Sequence, residues 1–160
     1  MSLCPEVLPL SAMRPVASAR VLYADTDKMG IVYHATYLRY LELARVELLR
    51  AAGLAYARME DAGFGLPLTD VAVHYESPAR YDDAMTIHAA VVRATKVRVS
   101  FQYRVTAVRS GDASGASFDV LRAQTDHCCV RTADGRPTRM PDDVWHLLCG
   151  QVVDVAGDRV

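Results

Sequence analysis

Residues 35–52, ATYLRYLELARVELLRAA, read as one long helix that is apolar around much of its circumference. Tyr37, Tyr40, Leu41, Ala44 and Leu48 fall on a single helical stripe, and Leu38, Leu43, Val46 and Leu49 widen it. A helix with so little polar surface has to be enclosed by other parts of the chain. Those other parts read almost entirely as strands.

Residues 18–25, SARVLYAD, form a predicted strand that reaches the helix through DTDKMG. In that connector Asp27 and Gly30 suit the first and last positions of a type I turn. Gly53 suits a helix stop, and residues 55–63 suit a second, short helical turn. After Gly65 the pattern changes to strands over 66–79, 82–94, 96–108 and 118–133. The third is the clearest, with Val97, Val99, Phe101, Tyr103 and Val105 on one face. Residues 140–148, MPDDVWHLL, suit a short C-terminal helix with acids in its first turn. Strands joined by short turns pair antiparallel. The expected architecture is therefore α+β: an antiparallel sheet curled around one long central helix. A single domain is expected over 18–149, with a loose arm at 1–17 and a tail at 150–160.

The chain of 160 residues holds 18 Lys+Arg against 19 Asp+Glu, a balance that speaks against nucleic acid or an anionic membrane as partner. No apolar run approaches the roughly 20 residues of a membrane span. The first residues lack an early cation and are broken by prolines, unlike a secretory signal. Cys128 and Cys129 are adjacent, a poor disulfide framework, which favours a reducing cytoplasm.

Several motifs fail on inspection. DTDKMG lacks calcium ligands at Met29 and at Thr36, where a bidentate Glu is needed. GDASG around Ser114 has the wrong glycine spacing for a nucleophile elbow. His127, Cys128, Cys129, His146 and Cys149 show no Cys-x-x-Cys pair, so no metal site is expected. Asp25, Asp27 and His34 have ordinary readings as a strand-end cap, a turn residue and a polar helix-start residue. They also have a chemical one. A helix too apolar for a solvated face should begin in a cleft, and its first N–H groups carry partial positive charge. Donors fixed there can stabilise a developing oxyanion. A carboxylate beside them completes a minimal device for attacking an acyl group.

At YADTDKMGIVYHATYLRYLELARVELLR, then YESPARYDDAMTI, then KVRVSFQY, the chain resembles the hotdog-fold acyl-CoA thioesterases. The similarity is to the 4-hydroxybenzoyl-CoA thioesterase group and its YbgC-type relatives, and it runs from about Arg20 to about Leu148. The resemblance implies a hotdog fold, hydrolysis of an acyl-CoA or acyl carrier protein thioester, and no cofactor. It puts the catalytic carboxylate on Asp27 and the carbonyl-polarising backbone N–H on His34. Gly30 and Tyr33 belong to the same specific block and are expected to bind substrate, while Lys96, Arg98 and Ser100 are the expected coenzyme A contacts. It also implies a homodimer or homotetramer with sites between subunits. Two rival functions are a hydratase or dehydratase of enoyl or hydroxyacyl thioesters, and a non-catalytic acyl-CoA-binding protein.

Overall fold

A computed structural model of the chain describes residues 7–153. In chain order its strands and α-helices are β1 (Arg14–Arg20), α1 (Tyr37–Ala51), α2 (Tyr56–Asp61), β2 (Phe64–Gly65), β3 (Leu68–Tyr75), β4 (Ala84–Ala94), β5 (Arg98–Val108), β6 (Ser117–Cys128), β7 (Val130–Arg131) and α3 (Asp142–Cys149). The five longer strands make one sheet, ordered β1-β4-β5-β6-β3, with every neighbour antiparallel.

The alternation read in β5 decides which face meets the helix. Val99, Phe101, Tyr103, Val105 and Ala107 are buried in one cluster with Leu41, Ala44 and Leu48 of α1. The residues between them point to the other side of the sheet. There Val7, Leu8 and Met13 bury against Ala90 in a second, small cluster. The Leu8 N–H donates to Gln102 Oε1 at 2.9 Å, and Arg104 Nε donates to the Leu8 carbonyl at 2.9 Å. Residues 7–13 thus lie on the outer sheet face. Of the expected arm and tail, residues 1–6 and 154–160, Cys4 included, fall outside the described residues.

One long helix on an antiparallel sheet is the expected hotdog arrangement. Three details differ from the expectation. The first strand runs Arg14–Arg20 rather than 18–25, because Tyr23–Asp25 coil into a 3₁₀ turn. The last strand breaks at Cys129, and the chain re-pairs Val130–Arg131 with Phe64–Gly65 in a separate two-stranded sheet. The helix is not enclosed on all sides: Leu38 and Leu43 keep 37% and 40% of their surface exposed. Among the described residues, no helix is long and apolar enough to cross a membrane.

Candidate active site

The two acids before the helix have opposite environments. Asp25 is 4% exposed. Its Oδ2 accepts the Leu22 N–H at 2.9 Å and the Tyr40 hydroxyl at 2.5 Å. Its backbone carbonyl accepts the Tyr33 N–H at 2.9 Å, and an Arg39 guanidinium nitrogen lies 3.9 Å from Oδ1. Burial, then the bond to Asp25, push the Tyr40 hydroxyl above its ordinary pKa, so it remains a donor. Asp25 is a strut tying the loop to α1.

Asp27 stands in the turn the sequence indicates. The Gly30 N–H reaches the Asp27 carbonyl at 2.9 Å, and the Asp27 N–H reaches the Ile31 carbonyl at 2.9 Å. The turn needs Gly30 at φ +73°, where side chains are strained, although a Cβ there would meet nothing. Asp27 Oδ1 accepts the Met29 N–H at 2.8 Å. No donor among the described residues reaches Oδ2. The side chain is therefore fixed by one oxygen and open at the other.

Beyond the turn, His34–Thr36 form a 3₁₀ turn that runs directly into α1. Within the described residues no acceptor meets the His34 N–H. The His34 carbonyl is held by the Tyr75 hydroxyl at 3.0 Å. The segment is clamped from below: the Val32 N–H donates to the Ala79 carbonyl at 2.9 Å, and the Ala79 N–H donates to the Tyr37 hydroxyl at 3.3 Å. Fixed donors at a helix start present the positive end of the peptide dipoles.

Asp27, His34 and Tyr37 line a cavity of about 380 Å³, with Tyr75, Glu76 and Pro78 on its far wall. The lining also includes Met29, Ile31 and Val32, so the cavity combines an apolar body with a carboxylate at one edge. Glu76 is tied to Arg122 at 2.5 Å, which leaves Asp27 as the lining acid without a cationic partner among the described residues.

The other expected site residues are spread out. Gly30 shapes the Asp27 turn, and the Tyr33 ring packs against the His34 ring at 4.3 Å between centroids, tilted by 52°, but neither residue lines the cavity. Lys96 lies with its ammonium 4.7 Å from the centre of the Trp145 ring. Arg98 and Ser100 border a separate polar depression of about 450 Å³ on the outer sheet face, where the Ser100 hydroxyl donates to Asp126. Within one chain these three do not meet Asp27. Sequence reasoning missed Tyr75 and Glu76 as wall residues. The available signal was the polar-aromatic pair at the end of a strand, stopped by Pro78. Within the described residues no group of three or more His, Cys, Asp or Glu could hold a metal ion.

Comparison with known proteins gives a consistent result. The family model described as thioesterase-like superfamily matches residues 21–148. The acyl-CoA thioester hydrolase YbgC of Escherichia coli O6:H1 is 33% identical over 125 residues, covering 78% of this chain and 88% of the relative. The acyl-CoA thioesterase YbgC of Haemophilus influenzae is 28% identical over 126 residues, covering 78% and 87%. Among solved structures, the hypothetical protein TT1821 of Thermus thermophilus superposes with a TM-score of 0.74 at 31% identity, covering 86% of this chain and 96% of that one.

Proposed function

This chain belongs to the thioesterase-like superfamily and is a thioester hydrolase; we propose that it acts on acyl-CoA, with Asp27 supplying the reacting carboxylate and the His34 N–H polarising the thioester carbonyl. One observation carries this reading. Asp27, whose carboxylate is fixed by one oxygen and open at the other, and His34, whose N–H meets no acceptor among the described residues, line the same cavity.

The chemistry requires little more. The leaving thiol has a pKa of about 8.5 on the model scale, so it departs without strong acid assistance. The carbonyl oxygen takes up charge as it is attacked, and the proposed donor to it is the His34 N–H in the turn before α1. Two courses use the same open oxygen. Asp27 Oδ2 adds to the carbonyl carbon, expels the thiolate and forms a mixed anhydride that water then opens. Or Oδ2 takes a proton from a water that attacks directly. Single turnover in ¹⁸O-water separates them, since only the anhydride course can leave label in Asp27.

Lys96, Arg98 and Ser100 are the proposed contacts for the coenzyme A moiety. Because they lie outside the cavity of their own chain, this role calls for a neighbouring copy. β3 is an edge strand with free ladder groups and with Leu68, Val71 and Tyr75 exposed, and Leu38 and Leu43 of α1 are exposed as well. Pairing two copies through these surfaces covers all of them in an isologous dimer, which can pair again to a tetramer. The test of function is thiol release across a panel of acyl-CoA esters, alongside an enoyl-absorbance assay. Enoyl hydration without thiol release overturns the hydrolase, and a monomeric mass by sedimentation equilibrium with full activity overturns the shared site.

A further inference from the structure

Halfway along α1, on the side facing the sheet, Arg45 is only 8% exposed. Its Nη1 is buried and has no hydrogen-bond partner, and among the described residues no carboxylate lies within ion-pair distance. Its guanidinium carbon sits 5.1 Å from the centre of the Tyr56 ring, which is the only compensation the described residues offer. A buried charge without a counter-ion is costly. It persists where something else satisfies it.

Arg45 lines a cavity of about 180 Å³ between α1 and the sheet, distinct from the one that holds Asp27. The walls include Leu41, Leu68 and Tyr103. The remaining polar groups there are committed elsewhere. His127 Nδ1 lies 2.9 Å from the Leu66 carbonyl, which can only accept, so Nδ1 carries the proton. His127 Nε2 then accepts from the Thr125 hydroxyl at 3.0 Å, and Thr125 Oγ1 accepts from the Tyr103 hydroxyl at 2.9 Å. Burial keeps the imidazole neutral, with the nearby Arg45 charge adding to the effect. Every proton of that chain is spent within the protein. Arg39 also lines the cavity, but its side chain is 82% exposed and its guanidinium lies 3.9 Å from Asp25. Arg45 is thus the buried donor left to the cavity. Glu42 lines the cavity one helical turn earlier, but it is an exposed residue and makes no ion pair with Arg45.

We propose that this cavity is a carboxylate subsite, in which Arg45 receives the anionic end of a small apolar acid whose body lies against Leu41, Leu68 and Tyr103. A guanidinium fork matches a carboxylate in shape and charge. A dry cavity of about 150 Å³ takes a benzene ring, so this one suits a ring or a stem of about six carbons. Resting on the hydrolase reading, the carboxylate has two sources. It is the far end of a dicarboxylic acyl group on the thioester, or it is the free acid that hydrolysis releases.

The test is calorimetric titration of the whole protein with benzoate and with its neutral analogue benzamide at low salt. Benzoate should bind at least about tenfold more tightly than benzamide, and Arg45→Gln should remove that difference. Glu42→Trp, at an exposed position lining the cavity and outside the surfaces proposed to pair, should block benzoate while Arg45 stays intact, which keeps the site testable if Arg45→Gln does not fold. Equal binding of the two probes, no binding of benzoate, or undiminished binding in Glu42→Trp overturns the subsite. The second of these is the outcome if an acid from another copy occupies Arg45. Hydrolysis of adipyl-CoA against hexanoyl-CoA then assigns the source. A preference for adipyl-CoA that Arg45→Gln lowers about tenfold points to the acyl end, and an unchanged ratio with benzoate binding lost points to the free acid. If neither ester is hydrolysed, the acyl-end source fails; if no ester of the wider acyl-CoA panel releases thiol, the proposed function fails while the calorimetric result stands.

Discussion

Asn in place of Asp at positions 27 and 25 makes a crossed test of the two acids, because each change alters charge with almost no change of shape. At Asp27 the Met29 N–H can still bond to an amide oxygen, so the turn should survive. The difference between a charged and a neutral acceptor at a half-exposed site amounts to about 1 kcal/mol or less. What is lost is the open oxygen's ability to attack or to take a proton, and turnover should fall by roughly 10²–10⁴. Asp25→Asn should do the reverse. The amide oxygen can keep the Leu22 and Tyr40 donors, but its NH₂ then faces Arg39 from a position with no acceptor. A buried polar group left unmatched costs about 2 kcal/mol. In a domain of this size that lowers Tm by about 4–8 °C. The measurements are thiol release under saturating substrate and thermal unfolding followed by circular dichroism. Equal losses of turnover in two folded variants would refute the assignment of chemistry to Asp27 alone, and an unshifted Tm in Asp25→Asn would refute the strut.

Tyr75→Phe removes the donor that holds the His34 carbonyl; at about 1 kcal/mol for the bond, kcat should fall roughly fivefold, and unchanged kcat would detach Tyr75 from the oxyanion donor. Lys96→Ala with Arg98→Ala should raise KM in a salt-sensitive way with kcat nearly intact, and an unchanged KM at low salt would send coenzyme A elsewhere. His127 should govern acid stability: burial above all, with Arg45 adding, holds its folded pKa at about 4 against 6.5 in a free chain. Its stabilisation is therefore complete above the unfolded value and is lost as pH falls from 6.5 toward 4, by about 3 kcal/mol in total, because only the unfolded chain takes the proton in that window. Urea unfolding across that range should show a flatter loss for His127→Gln than for the native protein, and identical slopes would refute it.

The sheet was legible in the sequence because its signal is local. Val99, Phe101, Tyr103 and Val105 alternate without interruption, and the strand exists where the alternation does. Strand ends were less legible where a longer-range contact decides them. β1 begins at Arg14 because Arg14 pairs with Ala89 of β4, a partner the local pattern cannot name. Cys129 leaves the sheet because its N–H goes to the Val97 carbonyl, at 2.7 Å, and Val130 pairs with Gly65. The Asp27 end of the cavity was legible for a similar reason to the sheet: turn, glycine and helix start lie within ten residues of one another. Its far wall, Tyr75 to Pro78, and the buried Arg45 were not, since both depend on which strand lies over which turn of α1.

The spacing of the two acids shows how local backbone decides function. In an extended strand, residues two apart share a face, so Asp25 and Asp27 would point the same way and either could reach the cavity. The chain is not extended there. The 3₁₀ turn over Tyr23–Asp25 rotates Asp25 inward, onto Leu22 and Tyr40, and the turn closed by Gly30 at φ +73° rotates Asp27 to the cavity edge. Gly30 is therefore a positioning residue for Asp27 although it touches nothing in the cavity. Gly30→Ala meets no steric obstacle, yet it strains the left-handed backbone by about 1 kcal/mol. The strain is relieved most simply by opening the Asp27–Gly30 turn, so kcat should drop while Tm hardly moves. A Tm loss with kcat intact would mean that the turn supports the fold and not the carboxylate.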